Sequence, residues 1–224
     1  FKMGVIGAAI ATGIGQTIGS LIALIYYGRK NTSLLKLGKP CFDFKALGKA
    51  MSNGLSEFSG TVGISIVAIV FNIRLMELNP NAGVAAYGTV IAVHFVFDSV
   101  LIGFSVGVAP VVAFNYGAQN HDELTNVLHL SLLIQVMNGL ILSGLAAALA
   151  YPFAMLYLGY DPKLLEVAAR ALLFSSACFI FSGISLFSSS FFTALNNGLI
   201  SLAISLSRVL IFPIIFVFIF PLFM

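Results

Sequence analysis

Two carboxylates interrupt otherwise apolar runs of this sequence, Glu57 within residues 50–73 and Asp98 within residues 83–114. A carboxylate in a low-dielectric setting must be paired, hydrated or protonated. Each is therefore a candidate to hold a cation, a proton or a charged substrate. Asp98 has polar company: Tyr87, His94, Asp98 and Ser105 are spaced by 7, 4 and 7 residues, which keeps them within ~20° of one line on a helix. Asn53, Glu57 and Thr61 recur at every fourth residue and share a second line. Ser175, Ser182 and Ser189 make a third at heptad spacing. A stripe carrying an acid should face a bundle interior or a watery cavity rather than lipid. Serines alone more often permit close packing or bond to their own backbone.

No competing chemistry stands out. His94 and His129 are isolated, and no Cys/His/Asp spacing resembles a metal site. No H-E-x-x-H, G-x-S-x-G or paired-carboxylate motif occurs, so the chain is not expected to be an enzyme and needs no cofactor. Cys41 lies in a basic loop and Cys178 in an apolar run, which is not a disulfide framework.

The elements that must position these residues follow from composition. The chain is 59% hydrophobic and 8% charged, with 21 Phe and a mean hydropathy of +1.05, whereas soluble domains carry about 25% charged residues. The expected class is an all-α integral membrane protein, a polytopic bundle of about six transmembrane helices in the cell membrane, with lipid and no nucleic acid as its surroundings. Charges and turn signals place the helices near 5–27, 50–73, 83–114, 124–150, 166–194 and 199–220. Six of the eleven basic residues (Arg29, Lys30, Lys36, Lys39, Lys45, Lys49) fall between the first two. That loop is expected on the cytoplasmic side. Arg170 and Arg208 are expected near helix ends. The sequence starts almost inside an apolar helix and stops abruptly, and is expected to be a piece of a longer protein.

One stretch departs from a plain membrane helix. "GFSVGVAPVVAFNYGAQN", residues 103–120, carries Gly103 and Gly107 four residues apart and then Pro110. The glycines should let a neighbouring helix approach closely. The proline removes a backbone donor and should bend the helix, as in transporters that move broken segments.

This stretch resembles the eighth-helix signature of the MATE family, the multidrug and toxic compound extrusion transporters. "GVIGAAIATGIGQTIGSLIALIYY" is similar to the family's sixth helix and "NGLSEFSGTVGISIVAIVFN" to its seventh. "SSFFTALNNGLISLAISLSRVLIF" is similar to the end of the tenth and the start of the eleventh. The resemblance implies part of a twelve-helix, two-lobe transporter. Residues 1–28 would be the last helix of the N-terminal lobe, 29–49 a cytoplasmic inter-lobe linker, and 50–224 the C-terminal lobe without its last helix. The missing N-terminal lobe of the same chain would be its partner.

The implied function is secondary active efflux, in which small-molecule organic cations are exchanged for Na+ or H+ by alternating access. One branch of the family binds its coupling cation through acids on helices seven and ten. Glu57 matches the first and is the implied Na+ position. The second is absent, since helix ten reads "FSSACFIFSGISLFSSSFF", leaving Asp98 on helix eight as a possible substitute. The implied cation or substrate set is thus Glu57, Asp98, Asn53, Tyr87 and His94, with Gly103, Gly107 and Pro110 as conformational residues. Two alternatives are a lipid-linked precursor flippase of the same superfamily, which would need basic residues in its cavity, and an inactive truncated remnant.

Overall fold

The computed structural model describes residues 4–29, 42–80 and 82–222. They form two units, residues 1–44 and 45–224. The first contains α1 (Gly4–Gly28). Its polar side chains bond back into their own helix, Thr17 Oγ1 to the Gly13 carbonyl and Ser20 Oγ to that of Gln16, as hydroxyls in apolar surroundings do. Lys30, Lys36, Lys39 and Cys41, and with them most of the expected linker, lie outside the described residues.

The second unit is an antiparallel bundle. It contains α2 (Phe44–Leu78), α3 (Ala82–Gly117), α4 (His121–Ala148), a short α5 (Ala150–Leu158), α6 (Pro162–Ser176), α7 (Cys178–Ala194), α8 (Gly198–Leu206) and α9 (Phe212–Ile219). One turn of π-helix, Ser207–Ile211, joins the last two. By length and composition the described residues hold five helices able to cross a membrane, or six if α6 and α7, bent by 50° at their junction, count as one span. The chain is an all-α polytopic membrane protein.

Three boundaries differ from the sequence expectation. Helix two begins at Phe44, inside the stretch assigned to the linker. Tyr151-Pro152, just past the expected helix end at residue 150, lies in α5, because proline is tolerated in the first turn of a helix. The expected helix 166–194 is two helices, with Ala177 between them. The Ser175–Ser182–Ser189 line is therefore interrupted: Ser175 bonds to the Leu172 carbonyl at 3.1 Å, while Ser189 is buried lower in α7.

The connections are chemically explicit. Gln119 and Asn196 take left-handed backbone conformations with φ of 57° and 59°. Each is followed by a residue whose N–H reaches five residues back, Asn120 to Asn115 and Asn197 to Phe192. This pattern closes a helix C-terminus by satisfying its orphan carbonyls. The Asn120 side chain then accepts from Glu123 N and that of Asn197 from Ile200 N. Each starts the next helix without a gap. Asp161 does the same for α6, with Pro162 at the first helical position.

Lipid is as apolar as leucine, so association in a bilayer relies on close fit and polar contacts. Both appear where α3, α4 and α7 meet. A Cβ at Gly139 would lie 2.7 Å from the Phe179 carbonyl, and one at Gly183 would lie 3.0 Å from that of Gln135. The two backbones thus touch through reciprocal glycines, four residues from the carbonyl each helix presents. Gln135, fully buried, donates to the Leu101 carbonyl at 3.1 Å and to Ser105 Oγ at 2.9 Å on α3. The small-residue contact expected at Gly103 and Gly107 is not made here. No atom among the described residues would come within 4 Å of a Cβ at either. α3 also continues through Pro110 as one helix.

Candidate functional site

α2, α3, α7 and the α8–π segment enclose a cavity of about 290 Å³ that holds three charged side chains, Glu57, Asp98 and Arg208. The rest of its polar lining is hydroxyl: Thr61, Ser105, Ser189, Ser190 and Ser205. Glu57 is exposed, while Asp98 and Arg208 are half-buried. Asp98 Oδ1 and Arg208 Nε are buried atoms without a hydrogen-bond partner among the described residues.

Behind this cavity lies a seam of hydroxyls. Ser201, fully buried on α8, has its Oγ 2.7 Å from Ser56 Oγ on α2, and 2.9 Å and 2.7 Å from Ser189 Oγ and Thr193 Oγ1 on α7. It also lies 2.8 Å from the Ser189 carbonyl. A hydroxyl has one proton and two lone pairs. Four such neighbours exceed its capacity, so these protons can be arranged in more than one way. Gly198 lets α8 come this close, since a Cβ there would lie 2.8 Å from Asn53 Cα. The glycine of the Asn-Asn-Gly turn thus serves a helix contact. The left-handed residue is Asn196.

The expected site residues separate into two groups. Glu57 and Asp98 meet at the cavity, joined by Thr61 and Ser105 from their stripes. Asn53 stands apart at the helix ends, where its Nδ2 donates to the Thr193 carbonyl at 3.0 Å. Tyr87 stacks on Phe71, ring centroids 5.2 Å apart, and His94 stacks on Phe179 at 4.5 Å. Neither lines the cavity.

Arg208 corrects the expectation that the arginines sit near helix ends. It lies midway along the span Gly198–Ile219, in the π-helical turn. That turn has a local cause. Pro213 has no N–H and its ring crowds the carbonyl four residues before it, and the Phe212 N–H bonds five residues back to Ser207. Such turns recur at functional sites. Arg208 could have been found from the sequence, as the single charge in the run 199–220.

Residues 44–219 match the model of the MatE family. The chain belongs to that family. Among relatives, the multidrug export protein MepA of Staphylococcus haemolyticus is 31% identical over 116 residues, 50% of this chain and 25% of that one. MepA of Staphylococcus saprophyticus is 23% identical over 97% of this chain and 48% of its own length. The chain thus spans at most about half the length of these MatE relatives. Two solved structures share the fold, each with a TM-score of 0.84. A MATE in complex with MaL6 is 20% identical, covering 97% of this chain and 50% of that one. An outward-facing multidrug resistance MATE transporter of the MOP superfamily is 19% identical, covering 93% and 47%.

Proposed function

We propose that this chain is part of a cation-coupled efflux transporter that exports organic cations in exchange for Na+ or H+ by alternating access. Residues 50–224 would belong to its second lobe. The observation that carries the reading is the meeting of Glu57 and Asp98, from two different helices, in one cavity at membrane depth. Membership of the MatE family and likeness to multidrug export proteins support it.

In this reading Glu57 alternates between a charged form that holds the exported cation and a form neutralised by H+ or Na+ from outside, which releases it. A fixed pair of acids in one cavity makes the two occupants mutually exclusive, which is the essence of exchange. The test is efflux of a fluorescent organic cation from cells expressing the full natural reading frame, under imposed proton or sodium gradients. Efflux that follows one gradient supports the reading and names the ion. No efflux under either, with the protein in the membrane, overturns it.

A flippase for a diphosphate-linked lipid is the weaker reading. Arg208 supplies one basic group, but two acids share its cavity and would repel a diphosphate.

A further inference from the structure

Arg208 stands between two cavities. Besides the one holding the acids, it lines a second of about 800 Å³ between α7 and the last span, where Ser182, Ser185 and Ser207 offer hydroxyl acceptors. Among the described residues Arg208 makes no ion pair with Glu57 or Asp98, unlike Arg74 with Glu77 and Arg170 with Glu166. Arg208 is thus held near Glu57 and Asp98 without closing on either. The helices facing the acid cavity otherwise present hydroxyls to it. α2 adds Thr61, α3 Ser105, α7 Ser189 and Ser190, and α8 Ser205. His94, one turn from Asp98, faces the Phe179 ring. Cys178 lines only the second cavity. With both acids ionised, two carboxylates and one guanidinium leave the acid cavity a net charge of minus one.

We infer that Arg208 is a tethered counter-ion, which competes with the coupling cation for Glu57 and Asp98 and limits the site to one coupling charge per cycle. The inference rests on the efflux reading above. A guanidinium stays protonated under all physiological conditions. Two like charges that share one cavity, with Asp98 half-buried, would otherwise draw two cations or two protons. The arginine satisfies one demand permanently and leaves the other for the ion. The hydroxyls of the second cavity give its N–H groups acceptors when an incoming cation takes the acids, and its return helps expel that cation.

The full-length protein in proteoliposomes tests this, with Na+ and H+ as probes. The readouts are the half-saturating cation concentration for drug exchange and the number of coupling cations taken up per drug molecule exported. R208Q should lower the half-saturating concentration roughly tenfold, because a unit charge a few ångströms away weighs more than a decade in such a site. It should also raise the coupling cations taken up per drug molecule exported from one to two. D98N, which leaves a net charge of zero, should raise the half-saturating concentration by a similar factor. D98N/R208Q, restored to minus one, should return to the wild-type value and to one coupling cation per drug molecule. That recovery does not depend on R208Q accumulating, and a purely structural arginine would not produce it. A cation-dependent wild type with no shift in R208Q and no recovery in the double variant overturns the inference and leaves the efflux reading standing. A wild type indifferent to both ions overturns both.

Discussion

Around Phe179 the helices meet through alanine and aromatic rings. Ala86, Ala146, Ala154 and Ala168 are buried there with Leu101 and Leu172, and Phe97 lies 5.4 Å from Phe179 between ring centroids. Around Ser201 they meet through hydroxyls, Ser56, Ser189, Thr193 and Ser205, on α2, α7 and α8. Both arrangements suit a solvent that offers no hydrophobic drive between helices. They differ in what motion they tolerate. Alanine and ring contacts are lost when helices slide, with nothing to replace them. Hydroxyls can pass a hydrogen bond from one partner to the next. The cavity with the three charges borders the hydroxyl side, and Ser189 and Ser205 belong to both. On the transport reading proposed above, the adaptable seam lies beside the acid cavity and the fixed packing elsewhere.

The largest expected effect tests whether the charged side is where the function lies. Glu57→Gln keeps shape and removes charge. Coupled efflux should fall at least about a hundredfold, as for loss of a directly acting group, while expression and thermal stability stay near wild type. Normal transport by this variant would make Glu57 structural. Next comes the fixed side. Gly139→Val places a side chain against the Phe179 carbonyl and Ile180 Cα, backbone atoms that cannot swing aside. It should lower stability by about 3 kcal/mol, read as reduced melting temperature in detergent. On the hydroxyl seam, Ser201→Ala removes the shared atom. It should lower stability by about 1 kcal/mol, within the range measured for interhelical hydrogen bonds in membranes. If Ser201→Ala proves as damaging as Gly139→Val, the contrast between an adaptable and a fixed side is wrong.

The sequence made some of this architecture legible and hid the rest for physical reasons. Glu57 and Asp98 were visible because a charge inside an apolar run is conspicuous in one dimension. Their convergence on one cavity was foreshadowed by Thr61 and Ser105, which share their helical lines and line the same space. Tyr87 and His94 share the line of Asp98 as well, yet stack on Phe71 and Phe179. A line on a helix 36 residues long passes different neighbours along its length. Arg208 lies midway along Gly198–Ile219 rather than near a helix end, because the π-helical turn before Pro213 carries the helix on without a break. Ser201 and Gln135 carry no local signal: their roles depend on which residues of other helices arrive opposite them. The bend at Ala177 was equally silent, since no proline or glycine marks it.

The smallest expected effect bears on Gly103 and Gly107. Gly103→Ala and Gly107→Ala add a methyl group where nothing among the described residues lies within 4 Å. Alanine is also the better helix former by roughly 1 kcal/mol. In this chain alone each substitution should leave stability unchanged or slightly raised, within about 0.5 kcal/mol of wild type for a surface site. In the full-length protein the same pair separates two roles. If Gly103 and Gly107 receive a helix of the other lobe during transport, alanine should slow exchange without lowering the melting temperature of the isolated unit. If they merely face lipid, exchange should match wild type. The paired measurement thus asks whether the contact surface of this unit extends beyond the Gly139–Gly183 crossing, where backbone contact is already made, to the glycine pair of α3, which has no neighbouring helix within 4 Å among the described residues.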